Sequence, residues 1–187
     1  MKKLFSILLV AFAMTAMVAC DKDDEATSIV FNITLDGQNY ALKPFVQWGA
    51  SQADVENFMQ ENYPDWDDQN AGTLVYAEAM GRWSKVYVKG NLNVIYFFAD
   101  AEGNNLEFSA YCYYGTSGLD AICAEVVRNG FVYKGELRYP YYDAQVCYMY
   151  LSPDGALEIQ AAGWEAGNWC LDFQPTDPDD FQYLVAE

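Results

Sequence analysis

Histidine is missing from all 187 residues. Its absence removes the usual Ser-His-Asp and Cys-His catalytic arrangements and the common zinc ligand sets. Cations are scarce. Lys and Arg together number 10 against 27 Asp and Glu, a net charge of −17. That balance excludes nucleic-acid binding by phosphate neutralisation and docking on an anionic membrane by charge alone. Long apolar runs are lacking as well. Leu4–Val18 is 15 residues, short of the roughly 20 that a membrane span needs. What the chain has in quantity is apolar and aromatic material, 52% and 17% of residues. That is enough for the core of one ordinary domain over residues 29–174.

Lys2 and Lys3 ahead of the apolar run give residues 1–19 the form of a secretory leader. The run ends in Met17-Val18-Ala19-Cys20, which resembles a bacterial lipobox with Met where Leu is usual. The resemblance implies cleavage before Cys20 and its acylation. Cleavage removes Lys2 and Lys3, leaving eight cations against 27 acids, a charge of −19. Lys22, Asp23, Asp24 and Glu25 follow at once, and this pattern resembles the surface-export signal of Bacteroidetes outer-membrane lipoproteins. Residues 20–28 then read as an acylated cysteine and an acidic tether. The expected location is the outer membrane, lipid-anchored and facing outward, with the lipid as the membrane contact.

Within the domain, Ile29–Leu35 alternates as a strand and closes on the turn signal Asp36-Gly37. Ser51-Gln52-Ala53-Asp54 is a capping box. Val55, Phe58 and Met59 follow at helical spacing, and Pro64 ends the helix. Ser117-Gly118-Leu119-Asp120 offers a second capping box. Leu119, Ile122, Cys123, Val126 and Val127 continue it, and Asn129-Gly130 closes it. Val94–Phe98 with Leu106–Ala110, and Val146–Tyr150 with Leu157–Ala161, read as two matching hairpins. Helix, strands, helix, strands predicts an α+β fold: two tandem repeats, at about 51–114 and 117–174, each a helix packed on an antiparallel sheet in two layers. Residues 175–187 read as an acidic tail, in which Phe181, Tyr183 and Leu184 could dock.

Trp48–Met59 resembles the helix start of small outer-membrane assembly lipoproteins and of tandem β-lactamase-inhibitor-like proteins. Glu61-Asn62-Tyr63-Pro64-Asp65, with Tyr96–Glu107 later, resembles PepSY-like periplasmic modules. The resemblance implies a binding or inhibitory role and no reaction.

Strand alternation divides the hairpin side chains between two faces. Helices are expected on the tyrosine-free face of Ile95, Phe97, Cys147, Met149 and Leu151, because a buried hydroxyl needs a hydrogen-bond partner. Tyr96, Phe98, Tyr111, Tyr113, Tyr148 and Tyr150, with Trp164 nearby, are then left as an open ligand face. A covered face is the alternative. An open one suits a protein partner, or a glycan stacked on the rings. Facing pairs Cys112 with Cys123 and leaves Cys147 for Cys170. Free buried thiols are the alternative. Asp65–Asn70 is rich in oxygen ligands but lacks the EF-hand glycine. No metal, cofactor or catalytic group is assigned. The expected function is a non-enzymatic protein-interaction or inhibitor-like module, with accessory carbohydrate binding as the alternative.

Overall fold

The computed structural model describes residues 29–116, 118–139, 144–164 and 166–185. The chain begins with a hairpin, β1 (Phe31–Leu35) and β2 (Gln38–Leu42). Asp36 and Gly37 between them carry φ of 50° and 77°. Positive φ at both central residues is what a two-residue hairpin of this twist requires. Helix α1 (Gln52–Asn62) starts at the expected Ser51, and the reciprocal Ser51–Asp54 capping box is formed. Short strands β3 (Asp67–Asp68) and β4 (Val75–Ala77) follow, then β5 (Arg82–Lys89), β6 (Leu92–Phe98) and β7 (Leu106–Tyr113). Helix α2 (Leu119–Arg128) leads to β8 (Val132–Glu136), β9 (Val146–Leu151), β10 (Leu157–Gly163) and β11 (Trp169–Pro175).

The expected pair of helix-plus-sheet repeats is not what forms. Strands β3 to β11 make one nine-stranded antiparallel sheet, ordered β3-β5-β6-β7-β11-β10-β9-β8, with β4 also on β5. Both predicted hairpins are present, as β6–β7 and β9–β10. The last strand, β11, inserts between them and hydrogen-bonds both β7 and β10. Neither hairpin therefore closes a unit with its own helix. The fold is sheet-dominated, and the helices, of 11 and 10 residues, are accessories to it.

The faces are also reversed. Val55 and Met59 of α1, Ile122 and Val126 of α2, and Phe31, Ile33 and Leu35 of β1 pack on the tyrosine side of the sheet. Tyr96, Phe98, Tyr111, Tyr113 and Tyr150 lie in that core at 5% exposure or less. At Tyr96 and Tyr111 the hydroxyl objection is met locally, whereas the buried Tyr113 hydroxyl has no hydrogen-bond partner among the described residues. Tyr111 donates to the Lys43 carbonyl at 2.8 Å, Tyr63 lies 3.2 Å from the Tyr111 hydroxyl, and Tyr96 donates to the Met59 sulfur at 3.3 Å. A tyrosine with such a partner buries its ring as a phenylalanine does, without an unpaired polar atom. Lys85 of β5 joins the same layer. Its side chain is inaccessible, and its ammonium lies 3.2 Å from Glu56 of α1 and 2.8 Å from Asp68 of β3.

The opposite face is closed over β8–β10 by the chain's own end. Residues expected to trail as an acidic tail instead form a 3-10 turn, Pro178–Tyr183. Leu184 then bridges to Leu137. Tyr183 and Leu184 pack on Leu137, Cys147, Met149, Leu151 and Ala162. With Leu157, Ile159 and Ala161 in the main core on the other face, all seven residues of β10 are buried.

Candidate functional site

Of the expected ligand residues, only Tyr148 and Trp164 keep partial exposure. Tyr148 lies edge-on to Tyr133 at 6.1 Å. Trp164 lines a cleft of about 280 Å³ with Asp120, Gln145 and Asn168. Tyr96, Phe98, Tyr111, Tyr113 and Tyr150 are core residues, so the open tyrosine face does not exist. Cys20, Lys22, Asp23, Asp24 and Glu25 fall outside the described residues, as does Ser117. Helix α2 is instead capped by Gly118, which offers no side-chain bond.

Both expected disulfides are absent. Cys112 of β7 and Cys170 of β11 sit opposite each other in register and are bonded, their Cα atoms 4.1 Å apart. Cys123 and Cys147 are free. Burial raises the Cys123 thiol above its ordinary value. Burial, with the carboxylates of Asp172, Asp180, Glu158 and Glu136, pushes Cys147 up to about 12. A thiol held protonated in this way is a poor nucleophile.

The acids of 65–70 are engaged in structure. Asp65 pairs with Lys89 at 2.5 Å. Burial pushes Asp68 up, but Lys85 and the amides of Asn70 and Gly72 outweigh it and hold the carboxyl below its ordinary value. Among the described residues, no three His, Cys, Asp or Glu side chains group as metal ligands.

Buried acids occur elsewhere. The Glu158 carboxylate of β10 accepts from Gln160 at 2.7 Å and from Gln174 at 3.1 Å. The same two amides donate to Asp180 of the C-terminal turn at 3.1 and 2.8 Å. Burial first, then the Asp180 charge, pushes Glu158 up to about 7, and burial alone pushes Asp172 up to about 7. This cluster fastens the chain end to the sheet. Its amide donors are consumed internally, which marks it as structural.

Besides Tyr114 after β7 and Phe181 and Val185 near the chain end, the exposed large apolar groups lie at the two ends of the sheet. At one end, β4 and β5 form a hairpin closed by residues 78–81. Val75, Tyr76 and Met80 are each about half exposed there. The Tyr76 ring meets Trp83 at 5.3 Å, tilted by 57°. Trp83 itself packs on the main core, so a rigid base supports the tip. At the other end, Val127 of α2 and Val132 and Tyr133 of β8 are also about half exposed. The two ends are separated by seven strand steps, roughly 30 Å at about 4.8 Å per step. Sequence reading missed both groups because β4 is only three residues long and β8 shows no alternation to reveal it.

No protein-family model matches the chain, and no curated protein or solved structure matches it either.

Proposed function

We propose that the chain is a lipid-anchored surface lipoprotein whose β4–β5 hairpin tip binds another protein, without catalysis. The observation that carries this is the half-exposed trio Val75, Tyr76 and Met80, of which Tyr76 stands on the core-packed Trp83. Aromatic and Met side chains are enriched where proteins bind one another, and a thioether adapts to an irregular partner surface. A glycan-stacking site needs flat, accessible rings. Here the tyrosine ring is tilted by 57° against the tryptophan rather than presented flat, which favours a protein over a sugar. The partner surface is an apolar pocket rimmed by cations, complementary to a mature chain of net charge −19.

The anchor rests on Met17-Val18-Ala19-Cys20, and outward display on Lys22-Asp23-Asp24-Glu25. Fatty-acid labelling that Cys20→Ala leaves unchanged would remove the anchor. Replacing residues 22–25 by alanine should shield the membrane-bound protein from protease added to intact cells. Equal cleavage of both forms would remove the display signal. For the tip, a photo-cross-linking residue at position 76 should yield one discrete protein adduct in cells, and Met80→Asp should abolish it. A polysaccharide smear, or an adduct indifferent to Met80→Asp, would sink the protein reading.

A further inference from the structure

Val30 donates its amide to the Asn129 side chain at 3.2 Å, and that side chain donates back to the Val30 carbonyl at 3.0 Å. These bonds fasten the start of the domain to the end of α2, three residues before β8. Cys20 lies nine residues before Ile29. Fully extended, nine residues span at most about 30 Å. An acyl chain on Cys20 therefore keeps the β8 end of the sheet within about 30 Å of the bilayer, and the β4–β5 tip lies at the opposite end of the sheet.

The β8 end also carries cations beside exposed apolar groups. Seven Lys and Arg follow residue 29, and three of them, Arg128, Lys134 and Arg138, fall within eleven residues here. Arg128 pairs with Glu125 and Arg138 with Glu136, while Lys134 forms no ion pair among the described residues. Interleaved with them are the half-exposed Val127, Val132 and Tyr133. Tyrosine, short aliphatics and long cationic side chains are the types that settle at a headgroup layer, rings and stems inward and charges at the phosphates. The net charge forbids docking by electrostatics alone. On a tethered chain, however, the same repulsion turns the acidic surfaces away and leaves this end to face the lipid.

We propose that the β8 edge of the sheet, with Val132 and Tyr133 flanking it on opposite faces and Val127 and Lys134 nearby, rests on the phosphate-bearing headgroup layer holding the tether, and so points the β4–β5 tip away from the membrane. The inference rests on the reading of Cys20 as the anchor. Its test supplies the anchor independently. A full chain with Cys20→Ser and a hexahistidine tag before residue 20 is held on phosphatidylethanolamine/phosphatidylglycerol vesicles through a nickel-chelating lipid. Tyr133→Trp and Tyr76→Trp are made separately, and the emission that each adds is followed on vesicles with phospholipid brominated near the headgroup. The Tyr133→Trp emission should be quenched severalfold more than the Tyr76→Trp emission, and adding Val132→Glu and Lys134→Glu should remove the difference. Equal quenching at both sites, or none at position 133, overturns the proposal. So does a protein cross-linked at position 133 in its place. Because the nickel lipid replaces acylation, a chain that fails fatty-acid labelling would remove the Cys20 reading while leaving the vesicle result to stand or fall alone.

Discussion

Replacing Glu158 with glutamine removes an acid that holds its proton to about pH 7 in the folded chain, against an ordinary value of 4.5. Between those values the native state keeps a proton that the unfolded state has released. Stability from this group is therefore fully present below about pH 4.5, declines as pH rises, and is lost above about pH 7. The slope is at most about 1.4 kcal/mol per pH unit. From about pH 5 to about pH 7 that amounts to as much as ~3 kcal/mol, or roughly 6–12 °C in Tm for a domain of this size. The Glu158→Gln side chain keeps a carbonyl oxygen to accept from Gln160 and Gln174, so packing is retained and only the titration goes. General repulsion among the other acids is common to both chains and cancels in the difference. Thermal unfolding of both chains across that range should show the Tm advantage of the native chain shrinking steadily. Asp180→Asn, which removes the neighbouring carboxylate, should flatten the native chain's pH slope. A difference between the chains that stays constant from pH 5 to pH 7, or that widens with pH, would refute the carboxyl's raised value and the burial that causes it.

Other outcomes follow from the packing. Tyr96→Ala should cost about 3–5 kcal/mol by opening a core cavity, whereas Tyr133→Ala at the sheet edge should cost less than about 1 kcal/mol. Urea denaturation of both would decide, and similar losses would contradict the assignment of faces. Ser51→Ala removes the α1 cap and should lower stability by about 1 kcal/mol by the same assay. Opening the Cys112–Cys170 bond, with a sequence separation of 58, should cost about 4 kcal/mol in the loop-entropy model. Midpoints that coincide with and without reductant would mean that the bond is not formed.

Local signals in the sequence were reliable at several points where one short segment sets the outcome, though not at the second capping box, since Gly118 caps α2. Asp36-Gly37 makes a hairpin, Ser51 with Asp54 starts a helix, and Asn129-Gly130 ends one, each through its own backbone conformations and hydrogen bonds. The pairing of distant segments carried no such mark. The placement of β11 between β7 and β10 depends on contacts across the whole chain, and with it went both the tandem repeats and the expected disulfides. The choice of face failed for a different reason. Penalising the buried hydroxyls of Tyr96 and Tyr111 was sound physics, but Met59, Tyr63 and the Lys43 carbonyl supply the partners, and no local pattern announces them. The acidic end likewise looked like a tail by composition. Tyr183 and Leu184 dock because the sheet beneath them presents Gln160 and Gln174 at the right spacing for Asp180.

The staple between β7 and β11 sets an order of events for a chain made from its N-terminus. Cys112 emerges first and must wait 58 residues for Cys170, while Cys123 and Cys147 pass by in the interval. An oxidant acting on the growing chain meets Cys112 beside Cys123, and joining neighbours as they appear gives a bond that the finished sheet cannot hold. The native crosslink therefore requires either that oxidation be delayed until the last strand has docked, or that a thiol–disulfide isomerase undo the early pair. Replacing both Cys123 and Cys147 with Ala removes the wrong partners and should make maturation independent of such an isomerase, which ties the production of this protein to the redox helpers of whichever compartment receives it.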